Sequence, residues 1–211
     1  RGEKMPLVTT KQMLKKAQEG QYAVGAFNAN NLEIVQAIIA VAEEEKAPVI
    51  LQASQGAIKY AGLEYIVSMV RVASEETTIP VALHLDHGTD YYQNIKCLRA
   101  GFTSLMFDGS KLSFEENVNL TKKVVDMAHA CNIPVEAEIG QIGKMSGTDE
   151  PGVAMEKTKE LMAKPEEAEK FVKLTELDSL AAAVGTIHGC RTPFAKLDIE
   201  TGKITSLFDP P

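Results

Sequence analysis

One short run of residues, His84-Leu85-Asp86-His87-Gly88, places a carboxylate between two imidazoles. If this run ends a β-strand, alternation points His84 and Asp86 to the same side, with Asp86 nearer the end. His87 then sits where the chain turns, so that Asp86 and His87 stand side by side over a pocket. A carboxylate can transfer protons and an imidazole can bind a metal ion, so the run predicts acid–base or metal chemistry.

The four histidines of the chain do not all carry the same prediction. His84 lies one layer below the predicted strand end, where a buried, hydrogen-bonded core histidine is the favoured interpretation. His129 lies in the helical segment DMAHAC, away from any strand end, which favours a surface or packing role. His87 is interpreted as a ligand because Glu138 and His188 stand at the ends of later predicted strands.

Together, His87, Glu138 and His188 predict a catalytic metal site. Imidazole nitrogen and carboxylate oxygen are common ligands of zinc. A catalytic zinc needs about three protein ligands and an open position for substrate. Glu136 lies two residues before Glu138 on the same strand face, so we expect it to pack deeper or to orient a ligand. No local spacing motif joins the three ligands, so the fold has to bring them together.

The elements that would do so alternate along the chain as short apolar runs and helical patterns. Residues 31–46 and 114–131 carry apolar side chains at helical spacing and predict crossover helices, and another helix begins near Pro165. Strand, helix, strand in this rhythm predicts parallel strands, because a tight turn cannot join parallel neighbours. The six strand candidates are residues 22–28, 48–54, 80–87, 103–110, 134–140 and 179–188.

A doubly wound sheet or a (β/α) barrel would both fit this order. Polar residues fall at the C-terminal ends of all six predicted strands, which indicates one barrel rim, whereas a doubly wound sheet concentrates its site at one switch point. We therefore predict an α/β protein, a TIM-type (β/α)8 barrel, with about six of eight βα units in one domain, residues 1–211. The rim residues are Asn28, Gln52, Ser54, Asp86, His87, Asp108, Ser110, Glu136, Glu138 and His188.

Composition narrows the choice of partner and compartment. A net charge of -7 disfavours nucleic acid and anionic membranes, whose phosphates are bound largely by Lys and Arg. Three cysteines without motif spacing fit neither a disulfide framework nor a zinc cluster. No apolar run approaches the ~20 residues that span a bilayer, and residues 1–6 carry charge where a signal peptide is apolar. We expect a cytoplasmic protein with a small-molecule or protein partner.

Six collinear motifs resemble the signatures of class II fructose-bisphosphate and tagatose-bisphosphate aldolases, over roughly residues 5–200. The resemblance implies a zinc-dependent lyase that reversibly cleaves a ketose 1,6-bisphosphate to dihydroxyacetone phosphate and glyceraldehyde 3-phosphate. Fructose 1,6-bisphosphate is preferred over the tagatose isomer because it is the commoner substrate of the family. The motifs are GAFN at 25–28, QASQGA at 52–57, HLDHG at 84–88, FDGS at 107–110 with FEEN at 114–117, VEAEIG at 135–140 and AVGTIHG at 183–189.

The resemblance also implies roles for individual residues. Asp86 would take the proton of the C4 hydroxyl, while a metal would stabilise the enediolate left by carbon–carbon cleavage. The metal would be one Zn²⁺ per subunit, with a monovalent cation as a further candidate, in a homo-oligomer of two or four subunits. The metal ligands would be His87, Glu138 and His188; the groups that orient them or form an alternate metal position, Asp108, Ser110 and Glu136; and the substrate-binding residues, Asn28, Gln52, Ser54, Gly189 and Arg191.

A covalent route through a lysine Schiff base is disfavoured. Lys96, Lys122 and Lys123 all fall in predicted helices, and no lysine lies at a predicted strand end. The polar, Gly-containing run 141–155 predicts a mobile rim loop, in which Asp149 or Glu150 is either the acid that protonates the enediolate carbon or simply a solvated charge.

The chain departs from the family pattern in three respects. Where many members have Tyr-Lys after His-Gly, Arg191 follows Cys190 and becomes the candidate phosphate cation. Residues 195–200 predict one more helix, and Pro210 and Pro211 stop any continuation. We therefore expect the seventh and eighth strands, with the family's third zinc histidine and phosphate loops, to lie outside the 211 residues.

Two other functions fit parts of the pattern. A barrel fragment retained for assembly or binding would keep the ligands without a complete site. A metal-dependent hydrolase would use Asp86, His87, Glu138 and His188 to activate water, but the chain has no HxH on an early strand. Release of triose phosphates with and without a chelator separates the three functions.

Overall fold

The computed structural model describes residues 7–141, 143–144, 161–185 and 187–188. Within these ranges β-strands alternate with α-helices along the chain. The helices are α1 (Thr10–Gly20), α2 (Leu32–Glu44), α3 (Gln55–Ala61), α4 (Leu63–Glu76), α5 (Tyr91–Ala100), α6 (Phe114–His129) and α7 (Pro165–Thr175). The strands are β1 (Gly25–Asn28), β2 (Val49–Ser54), β3 (Val81–Asp86), β4 (Leu105–Phe107), β5 (Val135–Ile139), β6 (Gly143–Lys144), β7 (Ser179–Ala182) and β8 (Ile187–His188).

Local capping signals set the starts of several helices. At α1, the Thr9 hydroxyl accepts from the Gln12 N–H and the Gln12 side chain accepts from the Thr9 N–H, which is a capping box. At α2, the Asn31 side chain accepts from the Ile34 N–H at 2.9 Å. Pro165 opens α7, as predicted, because the missing N–H of proline costs nothing in a first turn.

The first sheet has the order β1-β2-β3, and its strands are parallel. Its register places Asn28 opposite Gln52, Gln52 opposite His84, and Ser54 opposite Asp86. Since parallel strands point the same way, these polar residues occupy the same edge of the sheet. Two isolated parallel bridges, His84 to Ser104 and Gly88 to Phe107, continue the pairing toward β4.

In the first sheet β2 and β3 are largely buried, whereas all four residues of β1 are exposed. Five of the six residues of β3 are buried, and only Asp86, the last, is half-buried. Leu51, Leu83 and Leu85 are fully buried, each side chain contributing about 1.5–3 kcal/mol of stabilisation. A strand buried on both faces is typical of parallel α/β sheets and leaves its C-terminal end as the accessible part.

The chain divides into two compact units, residues 1–107 with 126–135 and residues 108–125 with 136–211. In the second unit β5 and β7 pair in parallel, with Glu136 opposite Ser179, and β6 pairs with β8. The described strands thus pair as β1-β2-β3 in the first unit and as β5-β7 and β6-β8 in the second. The α/β class with parallel strands is confirmed, while the count of six units in a single domain stays a prediction.

All six predicted strand runs contain a strand, and residues 179–188 contain two. The chain leaves β7 at Ala183 and passes Gly185, whose φ of 98° is favoured for glycine, before β8 begins. Part of the loop predicted at 141–155 is also a strand, β6, because its backbone pairs with the distant β8. Asp149, Glu150, the rest of that loop and residues 195–211 lie outside the described residues.

Candidate active site

The end of β3 carries a carboxylate and an imidazole side by side, as predicted. The Asp86 side chain is 16% exposed, and its Oδ2 accepts a hydrogen bond from Asn28 Nδ2 at 3.3 Å. Its Oδ1 lies 3.9 Å from Nε2 of His87, whose side chain is 35% exposed. Asn28 thus orients one oxygen of the carboxylate, and the other faces the imidazole.

His87 stands at the turn that ends the strand. Its φ of 50° lies in the left-handed region, which non-glycine residues seldom occupy. Its N–H donates to Met106 Sδ at 3.4 Å, and its carbonyl oxygen accepts from Gln55 Nε2 at 2.9 Å. This backbone turn carries the imidazole away from the direction in which the strand residues alternate.

Gly88 completes the turn, and the site requires a glycine there. A Cβ at this position would lie 2.5 Å from the backbone oxygen of Met106, 2.7 Å from Leu85 Cδ2 and 2.9 Å from Asn94 Nδ2. All three distances are shorter than real contacts of a Cβ. The last residue of HLDHG is therefore explained by the close approach of this turn to β4, which the bridge from Gly88 to Phe107 also shows.

His84 is a buried core histidine, so the favoured interpretation is confirmed. Its side chain is 4% exposed, and its Nδ1 lies 2.7 Å from Ser104 Oγ. The Thr10 hydroxyl donates to the same Oγ at 2.8 Å, so three buried polar groups satisfy one another. Burial lowers the pKa of His84 from 6.5 to about 4, and the charge of His87 contributes in the same direction.

Glu138 of β5 is buried, with 3% of its surface exposed. Its backbone oxygen accepts from Asn117 Nδ2 at 2.9 Å, and Asn117 Oδ1 accepts from the Thr121 hydroxyl at 3.0 Å. Asn117 and Thr121 are buried residues of α6. This pair fixes the backbone of β5 at the position from which the Glu138 carboxylate projects.

The turn after β4 is organised by Asp108. Its Oδ1 accepts from the backbone N–H of Ser110 at 3.1 Å and from the Ser110 hydroxyl at 2.6 Å. Gln141 Nε2 donates to the Ser110 backbone oxygen at 3.2 Å. The Ser110 hydroxyl therefore orients the Asp108 carboxylate within this turn, and a role of either residue at a metal ion stays a prediction.

Three of the predicted residues carry side chains that could bind a metal ion. His87 in the first unit, and Asp108 and Glu138 in the second, each offer one ligand atom. One imidazole nitrogen and two carboxylate oxygens fit Zn²⁺ or another divalent ion. The role of each as a metal ligand, and of Asp108 as an alternate metal position, stays a prediction. The side chain of His188 lies outside the described residues, as do Gly189 and Arg191.

The remaining substrate-binding candidates lie at the ends of β1 and β2. Asn28 is exposed beside Asp86, and Gln52 is half-buried, opposite Asn28 in the register. The Ser54 hydroxyl accepts from the Ala57 N–H at 3.2 Å and so caps α3. Glu136 is half-buried in β5. The substrate role of each stays a prediction, and for Ser54 capping is an additional, structural role.

Sequence reasoning missed Gln55, Thr89 and Asn117 as residues that support the site. Gln55 and Asn117 lie inside the QASQGA and FEEN motifs, where only neighbouring residues were given roles. Their contacts are made to backbone oxygens of distant residues, and no spacing rule reports such contacts. The sequence signal that could have indicated Gln55 and Asn117 is their position inside these two motifs.

Comparison with known proteins shows to which family the chain belongs. The sequence model described as "Fructose-bisphosphate aldolase class-II" matches residues 8–205, and this range includes every candidate site residue. The chain belongs to the class II fructose-bisphosphate aldolase family. It is 49% identical over 183 residues to a fructose-bisphosphate aldolase of Thermus caldophilus, a match that covers 87% of the chain and 58% of the relative. The corresponding enzyme of Geobacillus stearothermophilus is 48% identical over 88% of the chain and 63% of the relative.

Solved structures of aldolases share the fold. The YdjI aldolase of Escherichia coli K12 matches with a TM-score of 0.79 and 32% identity, over 94% of this chain and 68% of that one. A fructose-1,6-bisphosphate aldolase from Coccidioides immitis, described as putative in the name of its structure, matches with a TM-score of 0.76 and 33% identity, over 90% and 66%. The chain thus spans about two thirds of these structures and less than two thirds of the two curated relatives. Within the described ranges no helix is long and apolar enough to cross a membrane.

Proposed function

We propose that this chain carries the acid–base and metal-binding part of a class II aldolase that reversibly cleaves a ketose 1,6-bisphosphate, with fructose 1,6-bisphosphate as the substrate. Membership in the family supports the reaction type. The observation that carries the proposal is the placement of Asp86 beside His87 at the open end of β3. It supplies a carboxylate for proton transfer directly next to a metal ligand.

Asp86 acts on the C4 hydroxyl. Cleavage of the bond between C3 and C4 converts this hydroxyl to an aldehyde, so its proton has to leave as the bond breaks. Asn28 holds Oδ2 of Asp86 through a hydrogen bond, which restricts rotation of the carboxylate and leaves Oδ1 to receive the proton. In the condensation direction the same oxygen returns the proton to the new hydroxyl.

A divalent ion fits the donor set of His87 and Glu138, with His188 as the further ligand and Asp108 as an alternate one. When bound, such an ion acts as a Lewis acid toward negative charge that develops on the substrate. Ser110 and Glu136 orient these ligands, and the Asn117 contact to the Glu138 backbone keeps that carboxylate in place. Zn²⁺ is the proposed ion, and a monovalent cation is a second candidate.

Five further residues are proposed to contact the substrate. Asn28, Gln52 and Ser54 lie beside its sugar. Gly189 and Arg191 lie beside a phosphate group, and a guanidinium can bind two phosphate oxygens at once. We infer a cytoplasmic homo-oligomer, a dimer or tetramer, from the resemblance to the family. The match to fructose-bisphosphate aldolases supports the fructose isomer over the tagatose one.

The test is release of triose phosphates from fructose 1,6-bisphosphate and from tagatose 1,6-bisphosphate, before and after removal of metal with a chelator. Asp86→Ala, prepared in parallel, controls for contaminating host aldolase. Chelator-sensitive release that is absent in Asp86→Ala supports the proposal, and added Zn²⁺ should restore it. Release of inorganic phosphate instead would favour the hydrolase. The assay uses a form that also carries the seventh and eighth strands, and such a form that binds Zn²⁺ and cleaves neither sugar would favour the assembly fragment.

A further inference from the structure

The turn at the end of β3 is held by a side chain from a neighbouring element. Gln55 is the first residue of α3 and directly follows β2, the strand that pairs with β3. Its Nε2 donates to the backbone oxygen of His87 and to the hydroxyl oxygen of Thr89, each at 2.9 Å. One amide group therefore joins the two residues on either side of Gly88.

His87 needs such support because of its backbone conformation. Residues with a Cβ are disfavoured in the left-handed region, and His87 has a φ of 50°. Its N–H donates to a thioether sulfur, which is a weak acceptor. The bond from Gln55 to the carbonyl oxygen is, by contrast, an amide–carbonyl hydrogen bond of ordinary length. This bond opposes rotation of the peptide that follows His87.

We propose that Gln55 is a positioning residue for His87, which holds the left-handed turn and thereby aims the imidazole. The metal-binding consequence rests on the proposed function and deepens it, because it adds a residue that acts on a ligand through the main chain. Partners that orient metal ligands typically contribute 10–100-fold to metal affinity. Its two hydrogen bonds end on the His87 backbone oxygen and on the Thr89 hydroxyl, so we infer that its effect on the imidazole passes through the turn.

The first arm of the test uses the metal-free chain and compares Gln55→Leu with Gln93→Leu. Gln93 is the matched control, since its Nε2 donates to Cys97 Sγ at 3.2 Å inside α5. Backbone chemical shifts and the HN–Hα coupling of His87, measured by NMR, report its φ. We expect the left-handed signature to be lost in Gln55→Leu and kept in Gln93→Leu. Unchanged His87 signals in a folded Gln55→Leu would overturn the inference, whatever the metal does.

The second arm titrates Zn²⁺ into the same proteins by calorimetry. Gln55→Leu should bind Zn²⁺ about 10–100-fold more weakly than Gln93→Leu. This comparison requires that the two variants have the same unfolding midpoint. Equal affinities would overturn the inference. A wild-type chain that binds no Zn²⁺ would count against the proposed metal site, and the first arm would still decide the role of Gln55.

Thr89 supplies a variant that covers the case in which Gln55→Leu fails to fold. Thr89→Val removes the hydroxyl that shares the Gln55 amide, while Thr89→Ser keeps it. We expect Thr89→Val to shift the His87 signals in the same direction as Gln55→Leu but by less, and Thr89→Ser to match the wild type. Identical His87 signals in Thr89→Val and Thr89→Ser, in an otherwise folded chain, would contradict a role for the shared amide.

Discussion

His84 and His87 lie three residues apart on the same strand end and have opposite environments. The His84 side chain is 4% exposed and hydrogen-bonded to Ser104, and its pKa is lowered to about 4 by burial. The His87 side chain is 35% exposed, stands on a left-handed turn and lies 3.9 Å from Asp86. One imidazole is satisfied by the core, and the other faces a carboxylate at the surface.

The difference teaches that depth along a strand decides what a histidine can do. Inside the sheet, desolvation favours the neutral imidazole of His84, and the Ser104 hydroxyl is the hydrogen-bond partner of a ring nitrogen. At the strand end, the backbone turns and the ring stands beside the Asp86 carboxylate. A position two or three residues further along therefore changes a histidine from a core residue to a candidate ligand.

The largest effect on activity is expected from removal of Asp86, the carboxylate beside His87. In a form of the enzyme that also carries the seventh and eighth strands, we expect Asp86→Ala to lower turnover by ~10²-fold or more, because a positioned acid–base group is lost. Zn²⁺ affinity should stay close to that of the wild type, since Asp86 is not a proposed ligand. Coupled assays of triose-phosphate release and calorimetric Zn²⁺ titration check both parts. Turnover near the wild-type value would remove Asp86 from its role.

The second prediction separates the histidines by metal binding. His87→Ala should weaken Zn²⁺ binding by about 10²-fold, because it removes a direct ligand, and His188→Ala should act in the same way. His129→Ala is the matched control, since His129 is an exposed residue at the end of α6. Competition with a chromogenic chelator measures the affinities. Tight retention of one Zn²⁺ by both ligand variants would contradict the proposed site.

The third prediction concerns the buried residue, His84, and the dependence of folding stability on pH. Between pH 6.5 and about 4 the unfolded chain takes up a proton at His84 that the folded chain does not, so stability falls as pH falls. By pH 4 this loss should reach about 3 kcal/mol. His84→Leu should lose less stability between pH 7 and pH 4 than the wild type. Urea unfolding at both pH values measures the difference, and parallel losses in the two proteins would show that His84 does not titrate as described.

Much of the fold could be predicted from the sequence because its signals are local. Apolar runs between helical patterns located all six strand runs, and Pro165 marked the start of α7. The division of residues 179–188 into β7 and β8 and the short strand β6 were not predicted. Both depend on pairing between segments more than 40 residues apart, and composition does not report such pairing.

The residues of the candidate site that could do chemistry were predictable from their type. The residues that only hold other residues in position were less so. Asp86, His87, Asp108 and Glu138 are titratable groups at strand ends, so their type and position made them candidates, and their roles stay predictions. Gln55 acts through a hydrogen bond to a backbone oxygen, and an amide side chain has many possible partners. The structure was therefore needed to show which backbone group it contacts.

The last prediction concerns the turn that separates the two histidine environments, and its effect is the smallest. Gly88→Ala would place a Cβ 2.5 Å from the Met106 backbone oxygen, and forced repacking of this kind costs about 1–3 kcal/mol. Gly56→Ala is the matched control, because its Cβ would meet only Ser54 Oγ at 3.6 Å and alanine favours the α3 helix by about 0.5 kcal/mol. Since backbone oxygens cannot move aside as a flexible side chain does, the Gly88 turn must shift, and His87 shifts with it. Urea unfolding should show a loss for Gly88→Ala and none for Gly56→Ala. Equal stability of the two variants would mean that the turn tolerates a side chain, and that contact with β4 does not set the position of His87.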